Sequence, residues 1–224
     1  MTQPLHVLLC ATLLACSLPA RGAAVAHPAP GPAAVDGPAA LAKLLAGNQR
    51  YAAAHVGSPH PYAQQRVDCA TDQHPFAVIV ACSDSRVAPE IVFDQGLGEL
   101  FVIRTAGNLV DDLALGSIEY AVEHLGVRLV LVVGHERCGA VTAAVDGAHT
   151  SGHVRTLVQA IKPAIRTTPE STAHPLEAAI AANARAVADK IRRSRPALSQ
   201  LAHAEVTIAS ARYDLDTGVV TPLE

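Results

Sequence analysis

The sequence predicts a single α/β domain with a mostly parallel central β-sheet flanked by helices. Three runs at residues 76–81, 100–104 and 129–133 are almost entirely apolar, which is typical of parallel strands covered on both faces. Between the second and third runs, residues 112–125 carry apolar side chains at helical spacing. Strand, helix and strand in this order indicate a parallel βαβ unit.

Further elements are expected on both sides of these strands. Residues 39–54 place Leu41, Leu44 and Leu45 on one helical face, which we expect to pack on the domain or on a partner subunit. Residues 62–73 are polar and are predicted to be irregular. After the third strand we predict helices and one more strand, in the order helix 140–145, helix 154–165, helix 176–191 and strand 205–211.

The N-terminal segment predicts export. The apolar run 5–18 has the length of a signal-peptide core and is shorter than the roughly 20 residues that span a bilayer. We expect a signal peptide at 1–26, a Pro/Gly/Ala linker at 27–38, a catalytic domain at 39–224 and a periplasmic or secreted protein. Lipidation at Cys16, which would bring the protein to a membrane, and a cytosolic enzyme with an apolar tail are the alternatives.

Composition narrows the class of partner. Seventeen Lys and Arg are dispersed among twenty Asp and Glu, and the formal net charge is −3, so nucleic acid is not an expected partner. Two of the five cysteines fall in the leader, which leaves Cys69, Cys82 and Cys138. An odd number is a poor disulfide framework, and the position of Cys82 and Cys138 in short polar motifs after predicted strands favours a metal site.

A thiol, an imidazole and a second thiol follow two of the predicted strands. Cys82 ends the first strand, His135 follows the third, and Cys138 lies three residues further on. Ligands of open α/β sheets bind at the carboxyl ends of the strands, so neighbouring strands would bring the three side chains together. They would supply a Cys2His zinc site with an open fourth position. The rival chemistry, a nucleophilic cysteine aided by histidine, leaves one thiol without a role.

Asp84 and Arg86 follow Cys82 at two-residue intervals. The carboxylate of Asp84 is placed to reach the fourth metal position or the water there, and the guanidinium fork of Arg86 can hold that carboxylate bidentately. The alternative is that Asp84 or Ser85 caps a helix beginning near Val87.

These motifs resemble a known family. Cys-Ser-Asp-Ser-Arg-Val at 82–87 and Gly-His-x-x-Cys-Gly at 134–139 are similar to the motifs of the β-class carbonic anhydrases. The resemblance runs from about residue 40 to the end and includes the segments 98–104, 106–108, 117–121 and 211–218.

The resemblance implies zinc, one ion per subunit, held by Cys82, His135 and Cys138, with Asp84 and Arg86 as the catalytic dyad. It implies reversible hydration of carbon dioxide to bicarbonate and a proton. It also implies a closed state in which Asp84 itself takes the fourth metal position. A zinc hydrolase of carbon disulfide or carbonyl sulfide, and a non-catalytic protein that binds zinc or bicarbonate, remain the alternatives.

The resemblance further implies that Gln73, Phe101 and Tyr120 line the carbon dioxide pocket. It implies a homodimer or a larger homo-oligomer assembled around an exchanged N-terminal helix. The histidines available by type for proton transfer to solvent are His55, His60, His74, His149 and His153.

Three departures from the family pattern stand out. Thr105 occupies a position where many members carry Asn, and the chain has no Trp, which one allosteric subgroup uses in a bicarbonate site. Glu136 and Arg137 place charges inside the His-x-x-Cys turn. We interpret that pair as solvent-exposed.

Overall fold

The computed structural model describes residues 35–54, 60–166, 174–194 and 206–224. The predicted signal peptide with Cys16, residues 27–34 of the predicted linker, and His55 lie outside the described residues. None of the described helices is both long and apolar enough to cross a membrane.

The helices are α1 (Gly37–Ala52), α2 (Tyr62–Asp68), α3 (Pro89–Val92), α4 (Asp112–Glu123), α5 (Gly139–Val145), α6 (Gly152–Ile165) and α7 (Pro175–Arg193). The strands are β1 (Ala77–Ala81), β2 (Leu100–Arg104), β3 (Leu129–His135), β4 (Thr207–Tyr213) and β5 (Val220–Leu223).

The five strands form one sheet in the order β2-β1-β3-β4-β5. β1, β2, β3 and β4 pair in parallel, and β5 is antiparallel to β4. This confirms the predicted fold class. The chain leaves β1 for β2 on one side and then returns to β3 on the other side, so the order reverses between β1 and β3. A ligand crevice is expected at the carboxyl ends of these two strands.

The sheet is covered on both faces, which is why its central strands are apolar at every position. Ile79, Leu131 and their neighbours on one face pack against α1 and α3. Val80, Val132 and their neighbours on the other face pack against α4 and α7. A third apolar cluster at the carboxyl end of the sheet includes Cys82 and residues of α5, α6 and α7.

Helix α1 begins two residues before its predicted start, so residues 37 and 38 belong to the helix rather than to the linker. Asp36 Oδ1 accepts a hydrogen bond from the Ala39 amide at 2.7 Å and caps the first turn. The helix packs on its own domain, one of the two partners left open by the sequence. Buried Asn48 donates to Val92 O at 3.0 Å and to Gly218 O at 2.8 Å, and accepts from Val220 N at 2.7 Å.

Two elements differ from the sequence-based expectation. The prediction of an irregular segment at 62–73 was wrong for α2, none of whose residues is buried, so this helix has no amphipathic signal. Strand β5 was not predicted. It is short, contains Pro222 and lies at the sheet edge, where a missing amide hydrogen is tolerated.

Candidate metal centre

The three predicted ligands converge at the switch point of the sheet. Cys82 directly follows β1, His135 is the last residue of β3, and Cys138 is the N-cap of α5. Because β1 and β3 are neighbours, the two sulfur atoms and a ring nitrogen of His135 all lie within 4.8 Å of one another. All three residues are buried.

The hydrogen bonding of His135 leaves one nitrogen available to a metal ion. Its Nδ1 lies 2.8 Å from Glu136 O; a carbonyl only accepts, so Nδ1 carries the proton and Nε2 carries the lone pair. Nε2 is buried and has no hydrogen-bond partner among the described residues. A buried, unpartnered imidazole nitrogen beside two thiols fits a zinc ion.

The two thiols are electrostatically coupled. The hydrogen bond from the Cys138 thiol lowers the pKa of Cys82 to about 4 against the opposing effect of burial, and His135 and the Gly107 amide lower it further. The same hydrogen bond, together with burial, raises the pKa of Cys138. The hydrogen bond thus favours ionisation of Cys82 over that of Cys138. A bound cation removes the proton from a coordinating thiol outright, so the pair suits a divalent metal.

Gly107 supports Cys82 from the loop after β2. Its amide donates to Cys82 Sγ at 3.3 Å, while its carbonyl accepts from buried Asn183 of α7 at 2.9 Å. Its φ is +71°, and a Cβ here would lie 3.0 Å from Ile161 Cδ1, so the position favours glycine. The segment 106–108 belongs to the family resemblance, but its sequence did not indicate this role for Gly107. No sequence pattern linked Asn183 to it.

Asp84 and Arg86 form a bidentate pair. Arg86 Nε donates to Asp84 Oδ1 at 2.9 Å, and Arg86 Nη2 donates to Asp84 Oδ2 at 2.7 Å. These bonds hold the pKa of the Asp84 carboxyl well below its usual range. Asp84 Oδ2 lies 3.9 Å from His135 Nε2, so the ionised carboxylate borders the ligand cluster.

The alternative role of Asp84 or Ser85 as a helix cap was wrong. The next helix, α3, has Ala88 as its N-cap with no side-chain hydrogen bond. The backbone of the turn is instead held from β2. Arg104 Nε donates to Cys82 O at 3.0 Å and Arg104 Nη2 donates to Asp84 O at 2.6 Å, a positioning role that the sequence analysis missed.

The turn after β3 is held by residues far away in sequence. The Glu136 carboxylate accepts from Arg212 Nη1 and from Leu215 N, both at 3.2 Å, and its side chain is 14% exposed. Arg137 makes a bidentate pair with Asp216, both bonds at 2.8 Å. The interpretation of the pair as solvent-exposed is confirmed for Arg137, whose side chain is 50% exposed, but it was wrong for Glu136, whose side chain is mostly buried. Both side chains are held by residues more than 70 positions away.

The two glycines that flank this turn have different surroundings. Gly134 lets α7 approach the sheet, since a Cβ there would lie 3.1 Å from Ile180 Cγ2. Open space surrounds Gly139. The left-handed residue of the turn is Arg137, with φ +51°.

The predicted pocket residues do not join the ligand cluster within one chain. Phe101 pairs with Val78, four residues before Cys82, which is about 13 Å along the strand from the level of the ligands. Tyr120 on α4 contacts Phe101, with ring centroids 6.4 Å apart. Gln73 precedes β1 and so lies at its amino end, whereas Cys82 follows its carboxyl end.

Two of the proposed proton carriers are engaged elsewhere. His60 Nε2 lies 3.1 Å from Asp94 Oδ1, and His74 Nε2 lies 3.5 Å from Asp72 Oδ2. Thr105, the departure beside the predicted pocket, donates its hydroxyl to Leu109 O. Its side chain therefore serves the local turn.

Comparison with known proteins assigns the family. The family model described as carbonic anhydrase matches residues 77–220, more than half of the chain. The solved structure of a Coccomyxa β-carbonic anhydrase in complex with acetazolamide superposes with a TM-score of 0.66 at 26% identity, covering 82% of this chain and 86% of that one. The chain belongs to the β-carbonic anhydrases.

Further relatives extend the comparison. Carbonic anhydrase 2 of Mycobacterium tuberculosis is 48% identical over 131 residues, which are 57% of this chain and 63% of that protein. The match thus spans less than two thirds of that relative. The structures of two tetrameric β-carbonic anhydrases from Sordaria macrospora include one with a TM-score of 0.62 at 22% identity, covering 82% of this chain and 96% of that one. That likeness concerns the fold alone.

Proposed function

We propose that the chain catalyses the reversible hydration of carbon dioxide to bicarbonate and a proton, with zinc held by Cys82, His135 and Cys138. The observation that carries the proposal is the buried, unpartnered Nε2 of His135, which faces two thiols and lies 3.9 Å from Asp84 Oδ2. When bound, zinc supplies a Lewis acid that lowers the pKa of water toward neutrality.

Asp84 and Arg86 orient the reacting water. Arg86 keeps the Asp84 carboxylate ionised and fixes its plane through two hydrogen bonds. Asp84 Oδ2 then accepts a hydrogen bond from the water and turns a lone pair of the water oxygen toward the carbon of the substrate. If Arg86 released the carboxylate, Asp84, 3.9 Å from His135 Nε2, would be close enough to serve as a fourth ligand in place of water. Arg86 therefore governs whether the site is open.

The substrate pocket requires a second copy of the chain. Within one chain, Phe101 and Tyr120 lie at a different level of the sheet from the ligands, as described above. Tyr120 is 47% exposed and Leu113, seven residues earlier on α4, is 83% exposed, so one face of this helix presents apolar groups to solvent. A homo-oligomer that buries this face would bring Phe101, Tyr120 and Gln73 of one copy toward the cluster of another.

Zinc analysis combined with stopped-flow carbon dioxide hydration tests the function. We expect one zinc ion per chain and rapid hydration that is lost on chelation and restored by added zinc. Stoichiometric zinc without hydration would favour the non-catalytic zinc protein. Turnover of carbonyl sulfide without carbon dioxide hydration would favour the hydrolase. The intact pair of Asp84 and Arg86 argues against a purely structural zinc site, which has no need of it.

A further inference from the structure

Glu136 supplies the hydrogen-bond acceptor that orients His135. The carbonyl that receives the proton of His135 Nδ1, at 2.8 Å, belongs to the next residue in the chain. The direction of the imidazole ring therefore depends on the conformation of the turn at 135–138. The following residue, Arg137, has φ +51°, a region that residues with side chains rarely adopt. Contacts outside the turn must keep this backbone in place.

Three contacts anchor Glu136 to β4 and the residues after it. Its amide donates to Tyr213 O at 3.0 Å. Its carboxylate accepts from Arg212 through Oε1 and from the Leu215 amide through Oε2, both at 3.2 Å. Backbone and side chain of Glu136 are thus fixed to one short segment, residues 212–215.

The charges around Glu136 distinguish it from an ordinary surface carboxylate. Arg212 also donates to Glu177 of α7 at 2.9 Å, so one partly buried guanidinium joins the metal turn to a helix. The Glu136 side chain is 14% exposed. Hydrogen bonds in which a partner is ionised, such as the one between Arg212 and Glu136, are stronger than hydrogen bonds between neutral groups.

We propose that Glu136 is a positioning residue for zinc: it fixes the carbonyl that accepts from His135 Nδ1 and thereby keeps Nε2 directed at the metal position. This rests on the proposed function only in requiring that the chain holds zinc at Cys82, His135 and Cys138. Partners that orient a metal-binding histidine strengthen zinc binding even though they do not touch the metal.

Zinc affinity of the full chain, measured by competition with a chelator, tests the proposal. Glu136→Ala removes both carboxylate contacts and should weaken zinc binding about 10- to 100-fold. Glu136→Gln keeps an oxygen that can accept from the Leu215 amide, so its loss of zinc affinity should be smaller than that of Glu136→Ala. Cobalt-loaded Glu136→Ala should show altered visible absorption bands, because the angle of the imidazole ligand changes.

Glu99→Ala is the matched control. Glu99 likewise accepts from a cationic side chain, Lys43 at 2.8 Å, and from a backbone amide, Gly96 at 2.6 Å, but at the start of β2. We expect Glu99→Ala to bind zinc like the wild type, with unfolding of both metal-free variants measured in parallel. Wild-type zinc affinity in Glu136→Ala, or equal losses in the two variants, would overturn the inference alone. A wild-type chain that holds no zinc would overturn the proposed function as well.

Discussion

Each of the two turns at the metal centre carries one bidentate arginine–aspartate pair, and the two pairs differ in what surrounds them. Arg86 and Asp84 pair within the turn after β1, whereas Arg137 of the turn after β3 reaches Asp216. In both pairs the arginine lowers the pKa of the carboxyl. The Asp84 side chain is 19% exposed and borders His135, while Asp216 is 72% exposed. Contact geometry alone therefore does not assign a function; the neighbours of the carboxylate do.

Breaking the first pair should have the largest effect. Arg86→Ala leaves Asp84 without the fork that orients it, so carbon dioxide hydration should fall by about 100-fold, the lower range for a positioned proton-accepting group. The zinc ligands are untouched, so zinc content should stay at the wild-type level. Stopped-flow hydration and metal analysis on the same samples measure both quantities.

Asp216→Asn is the matched change in the other turn. Exposed ion pairs contribute little because water and salt screen them, so hydration and zinc content should both remain near wild type. An equal loss of hydration in Arg86→Ala and Asp216→Asn would show that both pairs contribute equally to activity, contrary to the difference that we expect between them.

The support of the first turn from β2 gives a smaller expected effect. Arg104→Met keeps an apolar stem but removes the donors to Cys82 O and Asp84 O. We expect about a tenfold loss of hydration, the lower end for groups that support a metal site. Arg128→Met is the control, since Arg128 also donates to two backbone carbonyls, Val122 O and Val127 O, outside both turns. If both variants lose activity equally, the effect belongs to general stability.

We expect acidic pH to have the smallest effect, because it acts on the stability of the fold through the carboxyl of Asp94 and not on the metal centre. Burial disfavours the charged form of Asp94, but hydrogen bonds from Arg50 and His60 outweigh it and lower the pKa of this carboxyl. Because the pKa of Asp94 is lower in the folded chain than in the unfolded chain, where it is about 3.9, the ionised carboxylate stabilises the fold above that pH. This stabilisation is lost as the pH falls through the pKa of the folded state.

Asp94→Asn should therefore be less stable than the wild type at neutral pH and should show a flatter decline in melting temperature below about pH 4. Thermal melts across this range measure it. If the melting temperature of the variant declined in acid as steeply as that of the wild type, Asp94 would not contribute to the acid sensitivity of the fold.

Short stretches of sequence were enough to predict strands β1 to β4 and the candidate ligands, because a buried strand and the polar residues that follow it leave a pattern among neighbouring residues. β1 and residues 129–133 of β3 are buried on both faces and so are apolar throughout. Cys82 and His135 lie at strand ends, and Cys138 begins the helix that follows. Asp84 and Arg86 are two residues apart, so their pairing could be predicted from spacing. That part of the site and the fold class were accessible from the sequence.

The features that sequence reasoning missed depend on contacts between distant segments. Glu136 lacks any local signal for its role because Arg212 follows 76 residues later. Helix α2 buries none of its residues and β5 is a short edge strand, so neither has the periodicity that identifies an element. The placement of Phe101 away from the ligands follows from the strand register, which the sequence does not specify.

The dependence of the His135 turn on residues 212–215 also has a consequence for biosynthesis. Arg212 and Leu215 leave the ribosome after Cys82, His135 and Cys138, because they follow these residues in the chain. Contacts across this sequence distance form slowly, so the thiols are present in the growing chain before their imidazole partner is fixed. If the chain holds zinc as proposed, we expect stable zinc capture to follow the folding of residues 212–215 onto the turn that carries His135.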